Sequence, residues 1–358
     1  MKIFIIVPSL SLSGPIKGAL ALANSLNNNF NVTLVLLKTT YLNIDYELNS
    51  NINYLFLGKY KNYYKKNKIL NNILKKNDGK KIIFSMCFSA DLFSLFLDSN
   101  IFKISSIRSN LFTNYFYVYN IFGYPLAILH LALQNFFNIT IVMNEKMKKQ
   151  VNLFSKTKTI LIENFIDEEK LKPFFCQEIN VDKPYSYVFV GSLTQRKNPF
   201  ALIKAFEKLL KNEDLRLHIV GDGPLRDSIL NYINHRNLKN KILIHGFLNN
   251  PYKVTSESDV FILPSLSEGT PRAALEALYL GIPIIIRDVE CNSDLINNLS
   301  FNGYIFQNEE HLGKLMLKAS KWSRGRKFRS NLLPENFRSK TVIKKYQILF
   351  ENLFQRNL

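Results

Sequence analysis

The sequence predicts an α/β protein with two doubly wound parallel-sheet domains, and three observations lead to that prediction. Short apolar runs typical of buried strands alternate with helical segments, as in βαβ units. The alternation stops at a linker-like stretch, residues 176–185, and then starts again. A chain of 358 residues with 47% hydrophobic side chains is long and apolar enough for two cores.

The predicted elements follow the chain in order. Before the linker, a helix is predicted over residues 16–26, and strands over residues 3–7, 32–37, 82–84, 104–107, 140–143 and 159–162. After the linker, strands are predicted over residues 187–190, 215–220, 242–245, 260–263 and 282–286. The domains are therefore expected at residues 1–178 and 183–339. The amphipathic C-terminal segment 340–358 is expected to pack back on the first domain as a helix.

The composition limits the class of partner and the compartment. The net charge of +19 favours anionic lipid, nucleic acid or phosphorylated substrates, although a biased genome composition would also explain it. No nucleic-acid recognition motif is present, so we expect no such partner. Cys87, Cys176 and Cys291 form no metal spacing and are expected to be packing residues in a reducing compartment. The first apolar run is too short for a signal peptide, and no spanning helix is expected, which favours a cytoplasmic protein.

Residues 265–285 are the most informative segment. Two carboxylates, Glu268 and Glu276, bracket a Gly-Thr-Pro turn in which Thr270 is a good N-cap and Pro271 a good first helical residue. A helix is predicted to start at Pro271 and to run through residues 273–280, and Gly281 is expected to end it before a buried strand. Helix N–H groups between two carboxylates can bind phosphate and sugar hydroxyls together, which favours a nucleotide sugar. A short acidic loop before a capped helix also needs no ligand, so this alternative stays open.

Further strand ends support a ligand site. Gly191 follows a predicted strand, and Lys197 then lies at the start of the next helix, where an ammonium can neutralise a diphosphate. Gly221 and Gly223 follow the next strand and let a nucleotide approach the backbone. His245 ends another strand and could reach a ligand, although a histidine at such a position is more often satisfied by the backbone.

Two more residues complete the set, and a metal is not expected. Gly14 follows the first strand, where its backbone could meet a phosphate, and Phe247 could flank a base. The sequence contains no Asp-x-Asp, no cluster with metal-ligand spacing and no P-loop. We therefore expect no metal and no cofactor. A diphosphate would be neutralised by Lys197, backbone N–H groups and the helix dipole.

Taken in order, four motifs of the second domain resemble one family. They are Gly191…Lys197, Gly221-x-Gly223-Pro224, His245-Gly246-Phe247 and Glu268-Gly269-x-Pro271…Glu276. They are similar to the retaining family-4 glycosyltransferases (glycosyl transferases group 1), whose GT-B fold has two Rossmann-like domains facing a cleft. The resemblance covers the whole second domain and reaches the first through residues 108–111, 143–147 and 163–167.

The resemblance implies a role for each residue. Glu268 and Lys197 would be the catalytic residues, with Glu268 on the donor sugar and Lys197 on the departing diphosphate, while Glu276 would hold the ribose. The complete implied donor site is Gly14, Gly191, Ser192, Arg196, Lys197, Gly221, Gly223, His245, Phe247, Glu268, Gly269, Thr270, Pro271, Arg272 and Glu276.

Two departures from the family pattern stand out. Many relatives carry arginine where Ser192 stands, and Arg196 is a possible replacement. Many also place a histidine after the third or fourth strand, where residues 85–89 lie here. His130 is the single histidine of the first domain and is expected to pack in a helix. These departures leave the acceptor side open.

The expected function is transfer of a hexose from a nucleotide sugar, in particular a UDP-sugar, to a growing cell-surface or lipid-linked glycan such as lipopolysaccharide or capsule. Residues 59–81 hold nine lysines, and residues 111–137 hold nine aromatic residues. This combination is typical of a protein peripheral to the inner face of an anionic membrane, or of a solvated helix beside a buried core. Two alternatives are a catalytically weak nucleotide-sugar-binding protein and a GT-B relative such as an epimerase.

Overall fold

The chain folds into two compact units, each built around a parallel sheet. The computed structural model describes residues 2–10, 14–39, 52–176, 178–179, 181–210, 214–289, 292–296 and 301–355. The first unit comprises Met1–Phe165 and Ser339–Leu358, and the second comprises Ile166–Arg338. The sequence predicted the change of domain at residues 178–183. It comes earlier because Ile166 and Leu171 already pack in the core of the second unit.

The first unit contains a sheet of seven parallel strands. The strands are β1 (Lys2–Val7), β2 (Asn31–Leu36), β3 (Asn53–Phe56), β4 (Lys81–Met86), β5 (Phe102–Ser106), β6 (Ile139–Val142) and β7 (Lys158–Leu161). Their order in the sheet is β3-β2-β1-β4-β5-β6-β7. The strand order therefore reverses between β1 and β4, as it does in doubly wound folds.

Both faces of this sheet are covered, which explains why β1 is apolar at every position after Lys2. Ile3, Ile5 and Val7 lie in one core, and Phe4 and Ile6 lie in another on the opposite face. The helices before the second unit are α1 (Gly14–Leu26), α2 (Tyr63–Lys76), α3 (Phe88–Leu95), α4 (Leu111–Tyr119), α5 (Gly123–Leu133) and α6 (Glu145–Phe154). Helix α1 packs on the first of these cores, and α2 and α3 pack on the second.

The second unit contains a sheet of six parallel strands. They are β8 (Tyr185–Val190), β9 (Leu215–Val220), β10 (Ile242–Gly246), β11 (Val260–Leu263), β12 (Ile284–Arg287) and β13 (Gly303–Phe306), in the order β10-β9-β8-β11-β12-β13. Its helices are α7 (Glu168–Leu171), α8 (Pro199–Leu209), α9 (Arg226–His235), α10 (Tyr252–Ser256), α11 (Arg272–Tyr279) and α12 (Leu312–Arg324).

The last helix, α13 (Ser339–Gln355), belongs to the first unit. It buries Val342, Tyr346, Phe350 and Leu353 in the core that also holds α1. The spacing of these residues follows one face of a helix, and the Tyr346 ring lies 6.1 Å from that of Phe84 on β4. Residues 356–358 of the predicted C-terminal helix lie outside the described residues.

All eleven strands predicted from the sequence are present, and two further strands, β3 and β13, were missed. Both have four residues and lie at an edge of their sheet. The expectation that all cysteines are packing residues was wrong for Cys176, which is exposed. Cys291 lies outside the described residues.

Candidate functional site

The strand order of the second sheet reverses between β8 and β11, and the loops that leave these two strands meet there. These strands are neighbours in the sheet, but the chain turns away from them in opposite directions, which opens a crevice at their carboxyl ends. The backbone N–H of Leu266 donates to the carbonyl oxygen of Arg196 over 2.8 Å, so the loops are joined directly. Lys197 and Glu268, 71 residues apart in sequence, therefore lie side by side.

Glu268 is a buried carboxylate between two cations. Its side chain is only 7% exposed; Lys197 Nζ lies 2.5 Å from Oε1 and Arg196 Nη1 lies 3.7 Å from Oε2. Burial opposes ionisation of the carboxylate, but the charges of Lys197 and Arg196 outweigh it and lower the pKa of Glu268. Glu268 is therefore ionised at neutral pH. The two residues predicted to be catalytic are in direct contact.

Arg196 also fixes the backbone of the β11 loop. Its Nη1 donates to the carbonyl oxygen of Ser267 over 2.7 Å, so one guanidinium holds both the carboxylate and the turn before it. The Lys197 stem passes over Gly191, because a Cβ at Gly191 would lie 3.7 Å from Lys197 Cδ. Ser192 is exposed. The loop after β8 thus directs one cation, Lys197, to the carboxylate and a second, Arg196, across the two loops.

Helix α11 begins one residue later than the sequence predicted. Pro271, with φ −72° and ψ 110°, stands at the N-cap position, and no side-chain hydrogen bond caps this end. The prediction that Thr270 caps the helix and Pro271 opens it was wrong, because ψ of Pro271 is extended rather than helical. The N–H groups of Ala274 and Leu275 bond to the Pro271 carbonyl oxygen. The positive end of the α11 dipole therefore follows Glu268 directly along the chain.

Glu276 lies in the second turn of α11, as predicted, and is 8% exposed. Its Oε1 is 3.8 Å from Nη2 of Arg272, four residues earlier on the same face. Gly281, with φ +77°, ends the helix as predicted, and the N–H of Ile282 bonds to the carbonyl oxygen of Ala277 over 2.9 Å. This Schellman motif fixes the carboxyl end of α11 and so fixes the position of Glu276. Gly269 is also buried in the loop.

The glycines after β8 and β9 make close contacts between loops. A Cβ on Gly221, which has φ +142°, would lie 1.9 Å from the carbonyl oxygen of Gly191. A Cβ on Gly223 would lie 2.7 Å from the carbonyl oxygen of Leu193. The Gly221 N–H also donates to the carbonyl oxygen of Gly246 at the end of β10 over 2.7 Å. Three neighbouring loops are therefore in backbone contact, which only glycine permits at these positions.

His245 pairs with a second histidine that the sequence analysis missed. His245 Nε2 lies 3.0 Å from His218 Nδ1, and the two rings are stacked with centroids 5.2 Å apart. Burial and the charge of His245 lower the pKa of His218 to about 4, and burial lowers the pKa of His245. Both rings are therefore neutral at pH 7. Phe247, the next predicted site residue along the chain, is 48% exposed.

Arg287 is another residue that the sequence analysis missed. It ends β12, and its Nε donates to the carbonyl oxygen of Pro264 over 3.2 Å, so it supports the loop after β11 from the next strand. A second contact, an ion pair with Glu309, fixes the guanidinium. The signal for it was a charged residue directly after the apolar run 284–286. His218 gave no such signal, because it lies inside a strand.

In the first unit, Gly14 opens α1 and is exposed, and its predicted contact with a phosphate stays a prediction. His130 packs in a helix, α5, as expected. Its Nε2 lies 2.8 Å from Asp91 Oδ2, and its Nδ1 lies 2.9 Å from the Tyr115 hydroxyl. Its ring centroid is 5.0 Å from that of Phe88. The imidazole therefore reaches the segment 85–89, where the family resemblance places a histidine.

Two features of the described residues bear on membrane and metal binding. By length and composition alone, the helical residues Leu111–Phe136 could cross a membrane, which the sequence analysis did not predict. They fold as two helices, α4 and α5, with a reversal of the chain at Asn120. Within the described ranges, no group of three His, Cys, Asp or Glu side chains is placed to hold a metal ion. The expectation of metal independence stays a prediction.

The family of the second unit follows from a comparison with known proteins. Residues 173–332 match the family model described as glycosyl transferases group 1. This range, most of the second unit, is therefore similar to a group 1 glycosyltransferase domain. The matched range includes all of the loops described above, from Gly191 to Gly281.

Curated relatives align with part of the chain. An uncharacterized glycosyltransferase of Methanocaldococcus jannaschii is 33% identical over 180 residues, which are 46% of this chain and 44% of that protein. The UDP-Gal:alpha-D-GlcNAc-diphosphoundecaprenol alpha-1,3-galactosyltransferase of Escherichia coli is 36% identical over 161 residues, or 42% of this chain and 41% of that protein. The chain thus spans less than half the length of these relatives.

A solved structure extends the comparison to the whole chain. Sucrose-phosphate synthase from Thermosynechococcus elongatus matches with a TM-score of 0.77 over 99% of both chains, at 17% sequence identity. At that identity the likeness concerns the fold alone. The predicted GT-B fold, with two Rossmann-like units, is confirmed.

Proposed function

We propose that this protein is a retaining, metal-independent hexosyltransferase with a UDP-sugar donor. The observation that carries the proposal is the buried Glu268 carboxylate, paired with Lys197 and Arg196 immediately before the amino end of α11. Fixed cations, a helix amino end and carboxylates together suit a ligand that carries both phosphate and sugar hydroxyls. Nucleotide sugars carry both groups.

In this proposal Lys197 and the amino end of α11 hold the donor diphosphate. Glu276 accepts hydrogen bonds from the ribose hydroxyls, and Glu268 accepts them from the sugar. The buried carboxylates suit these roles because each is held in one position by a neighbouring cation, Arg272 for Glu276 and Lys197 for Glu268. The ammonium and the helix dipole supply the positive charge that a divalent metal would otherwise supply, which is why we propose metal independence.

The proposed transfer exchanges one bond at the anomeric carbon. The bond from this carbon to the diphosphate oxygen breaks, and the acceptor hydroxyl oxygen bonds to the same face, so the configuration is retained. Negative charge grows on the diphosphate as the bond breaks. Lys197 stabilises that charge more strongly in the transition state than in the bound donor, and such differential binding raises the rate.

The other strand ends complete the proposed donor site. Gly191, Gly221 and Gly223 bring backbone to the nucleotide, and the neutral His245 offers a hydrogen-bonding ring nitrogen. The exposed ring of Phe247 is available to stack on the base. All of these residues lie at or just after the carboxyl ends of β8, β9 or β10, at the edge of one sheet where doubly wound folds bind ligands.

The donor and acceptor are proposed from the relatives and from charge. The Escherichia coli relative is named for UDP-galactose as donor and a sugar on diphosphoundecaprenol as acceptor. We propose the same classes here, a UDP-hexose and a lipid-linked glycan of surface polysaccharide synthesis. A lipid-linked acceptor also fits the net charge of +19, because such an acceptor lies at an anionic membrane. The protein would then act at the inner face of the membrane.

The residue at position 192 favours a second candidate function, nucleotide-sugar binding with weak catalysis. Ser192 is exposed at the position where many relatives carry arginine, so this position supplies no cation, and the cations of the loop near Glu268 are Lys197 and the more distant Arg196. A nucleotide-sugar-binding protein with weak catalysis would retain the carboxylates and lose part of the cationic clamp. An epimerase acting on the same donor would release UDP without an acceptor. Turnover assays with and without acceptor separate all three.

Thermal-shift measurements test the donor site. We expect UDP and one UDP-sugar to raise the melting temperature of the protein, with GDP and ADP much less effective and EDTA without influence. Loss of the UDP shift in EDTA would contradict metal independence. A shift with GDP alone would contradict the UDP assignment, and no shift with any nucleotide would contradict the donor site itself.

Turnover measurements test the catalytic roles. Lys197→Ala and Glu276→Ala should each lower UDP release with acceptor by at least about tenfold, because a charge-assisted hydrogen bond contributes roughly 1.5–3 kcal/mol. Lys204→Ala is the matched control, since Lys204 is exposed on the helix that follows the same loop. Wild-type turnover in both site variants would overturn the site, and an inverted anomeric signal in the product would overturn retention.

A further inference from the structure

The residues 111–136 of the first unit are apolar on a surface that faces away from the core. This stretch contains no Asp, Glu, Lys or Arg, and only 22% of its most apolar window is buried. A surface helix of a soluble domain normally presents charged and polar side chains to water. An uncharged outer face of this length indicates a further binding partner.

The stretch folds back on itself and does not form one long helix. A Cβ on Gly123 would lie 2.3 Å from the Tyr115 carbonyl oxygen, whereas residues eight positions apart in one helix are about 12 Å apart. The chain reverses at Asn120, which has φ +53°. We call residues 111–133 the α4–α5 hairpin. Each arm is only roughly 14–17 Å long, about half the thickness of a bilayer core, so the hairpin as folded can enter a membrane but not span it.

The turn and the outer side of α5 carry the exposed apolar side chains. Val118, Ile121 and Phe122 around the turn are 61%, 68% and 80% exposed. Ile128 and Leu129 on α5 are 44% and 50% exposed. These side chains are large and aliphatic or aromatic, and their neighbours along the turn provide no charge. We call them the hairpin tip (118, 121 and 122) and the outer face (128 and 129).

The inner side of the hairpin is firmly anchored, so the exposed side is not the result of a loosely packed segment. His130 on α5 bonds to Asp91 of α3 in a buried contact and to Tyr115 of α4 in a half-buried one. The Gln134 side chain, just after α5, accepts from Thr140 Oγ over 3.0 Å on β6. These bonds fix which side of α5 faces the sheet. The outer face therefore points to solvent because the hydrogen bonds of the inner side fix the orientation of α5.

Two basic helices lie near the hairpin: α6 contacts it directly, and α2 contacts α3, which packs on α5. The contact of α2 with α3 is made through the rings of Tyr63 and Phe93, 6.1 Å apart. Exposed lysines lie on both basic helices: Lys65 and Lys68 on α2, and Lys146 and Lys149 on α6. An apolar surface near two groups of lysines complements a membrane that has an apolar interior and anionic headgroups.

We propose that the α4–α5 hairpin is a membrane-insertion element, whose tip enters the interface of an anionic bilayer while the lysines of α2 and α6 bind its headgroups. Charge complementarity selects this partner over a second copy of the chain, because two copies would bring their lysines together. The proposal deepens the proposed function, since a lipid-linked acceptor lies at such a surface. The test of membrane insertion measures binding and not turnover, so the insertion proposal would stand even if the transferase assignment failed.

Vesicle flotation with the full-length protein tests binding. The vesicles are phosphatidylcholine alone or phosphatidylcholine mixed with phosphatidylglycerol. We expect strong binding only to the mixed vesicles. The double variant Ile121→Ser/Phe122→Ser should weaken it by at least about tenfold, because two large apolar side chains no longer enter the membrane. The matched control is Phe328→Ser, since Phe328 is 63% exposed on the second unit.

The charged flank has its own test. Lys146→Gln and Lys149→Gln should each lower the affinity for mixed vesicles by about fivefold, and added salt should have the same effect. Wild-type binding by the Ile121→Ser/Phe122→Ser variant, with its circular dichroism spectrum unchanged, would overturn the proposal. Equal binding of wild-type protein to both kinds of vesicle would overturn the role of the lysines.

A tryptophan at the tip reports insertion directly. Phe122→Trp adds one indole to a chain with a single tryptophan, Trp322, in the second unit. With mixed vesicles we expect a blue-shifted emission that brominated lipid quenches, measured against wild-type protein. An unquenched indole at position 122 would overturn insertion. Self-association that the serine variant abolishes, with no quenching, would identify a second copy as the partner instead.

Discussion

Replacing Lys197 by methionine should separate the stability of the donor site from its chemistry. Methionine keeps the apolar stem over Gly191 but removes the ammonium that lies 2.5 Å from Glu268. The Glu268 carboxylate would then be 93% buried with only Arg196, 3.7 Å away, as a counter-charge. The loss of one partner of a buried ion pair costs about 3–5 kcal/mol. Because Arg196 remains, we expect the lower end, about 3 kcal/mol, in the second-unit transition.

The double variant Lys197→Met/Glu268→Gln completes the experiment. With both charges removed, no buried ion is left unpaired, and stability should return to within about 1 kcal/mol of wild type. Transfer should remain absent, because neither the ammonium nor the carboxylate is present. Denaturant unfolding at pH 7 measures the free energy of unfolding of the wild type, of each single variant and of the double variant, which together form a double-mutant cycle. If Lys197→Met lowered the free energy of unfolding by less than about 1 kcal/mol, the buried ion pair between Lys197 and Glu268 would be refuted.

The same variant should have a distinctive pH dependence. In the wild type the pKa of Glu268 is below its usual value, so the stability that the ionised group provides is present above pH 4.5 and is lost as the pH falls further. Without Lys197, burial raises the pKa, and protonation relieves the buried charge. The deficit of Lys197→Met should therefore shrink as the pH is lowered from 7 towards 4.5. A deficit that stays constant over this range would contradict the argument.

Three further variants test other parts of the molecule. Gly221→Ala places a Cβ 1.9 Å from the Gly191 carbonyl oxygen at φ +142°, and calorimetry should show a loss of at least about 2 kcal/mol in the second unit; an unchanged melting temperature would contradict the loop contact. The pKa of His218 is lowered to about 4, so the stability that neutral His218 provides is present above pH 6.5 and is lost as the pH falls to about 4. In His218→Gln the melting temperature should therefore depend less on pH between 6.5 and 4. The same pH dependence as in the wild type would count against the histidine pair. Asp91→Ala removes the acceptor of bonds from Ser85 and His130, so amides of the α4–α5 hairpin should exchange faster with deuterium; equal exchange would show that the buried network does not anchor it.

The parts of the fold that the sequence predicted are those with a strong local signal. β1 is buried on both faces, so its apolar run needs no knowledge of the neighbours. Gly281 ended α11 as predicted, because a left-handed φ at a helix end requires glycine. Lys197 and Glu268 were assigned to one site because each follows a strand, and the carboxyl ends of parallel strands share an edge.

The parts that were missed depend on contacts distant in sequence. His218 lies in mid-strand, and only the neighbouring strand brings it to His245. Thr270 has the chemistry of an N-cap, but the ψ of Pro271 is extended, so the helix starts later. Residue types alone do not reveal that backbone angle. The reach of His130 to residues 85–89 required the reversal at Asn120, which local propensity does not reveal.

The glycine contacts at the carboxyl edge of the second sheet limit how this protein can be redesigned. Gly191, Gly221 and Gly246 connect three loops through their backbones, so an insertion or exchange in one loop displaces the other two. Loop grafting from a glycosyltransferase would succeed only if all three loops were transplanted together. Changes in the specificity of the proposed donor site are better sought by varying Ser192 and Phe247, because their side chains are exposed and take no part in these backbone contacts.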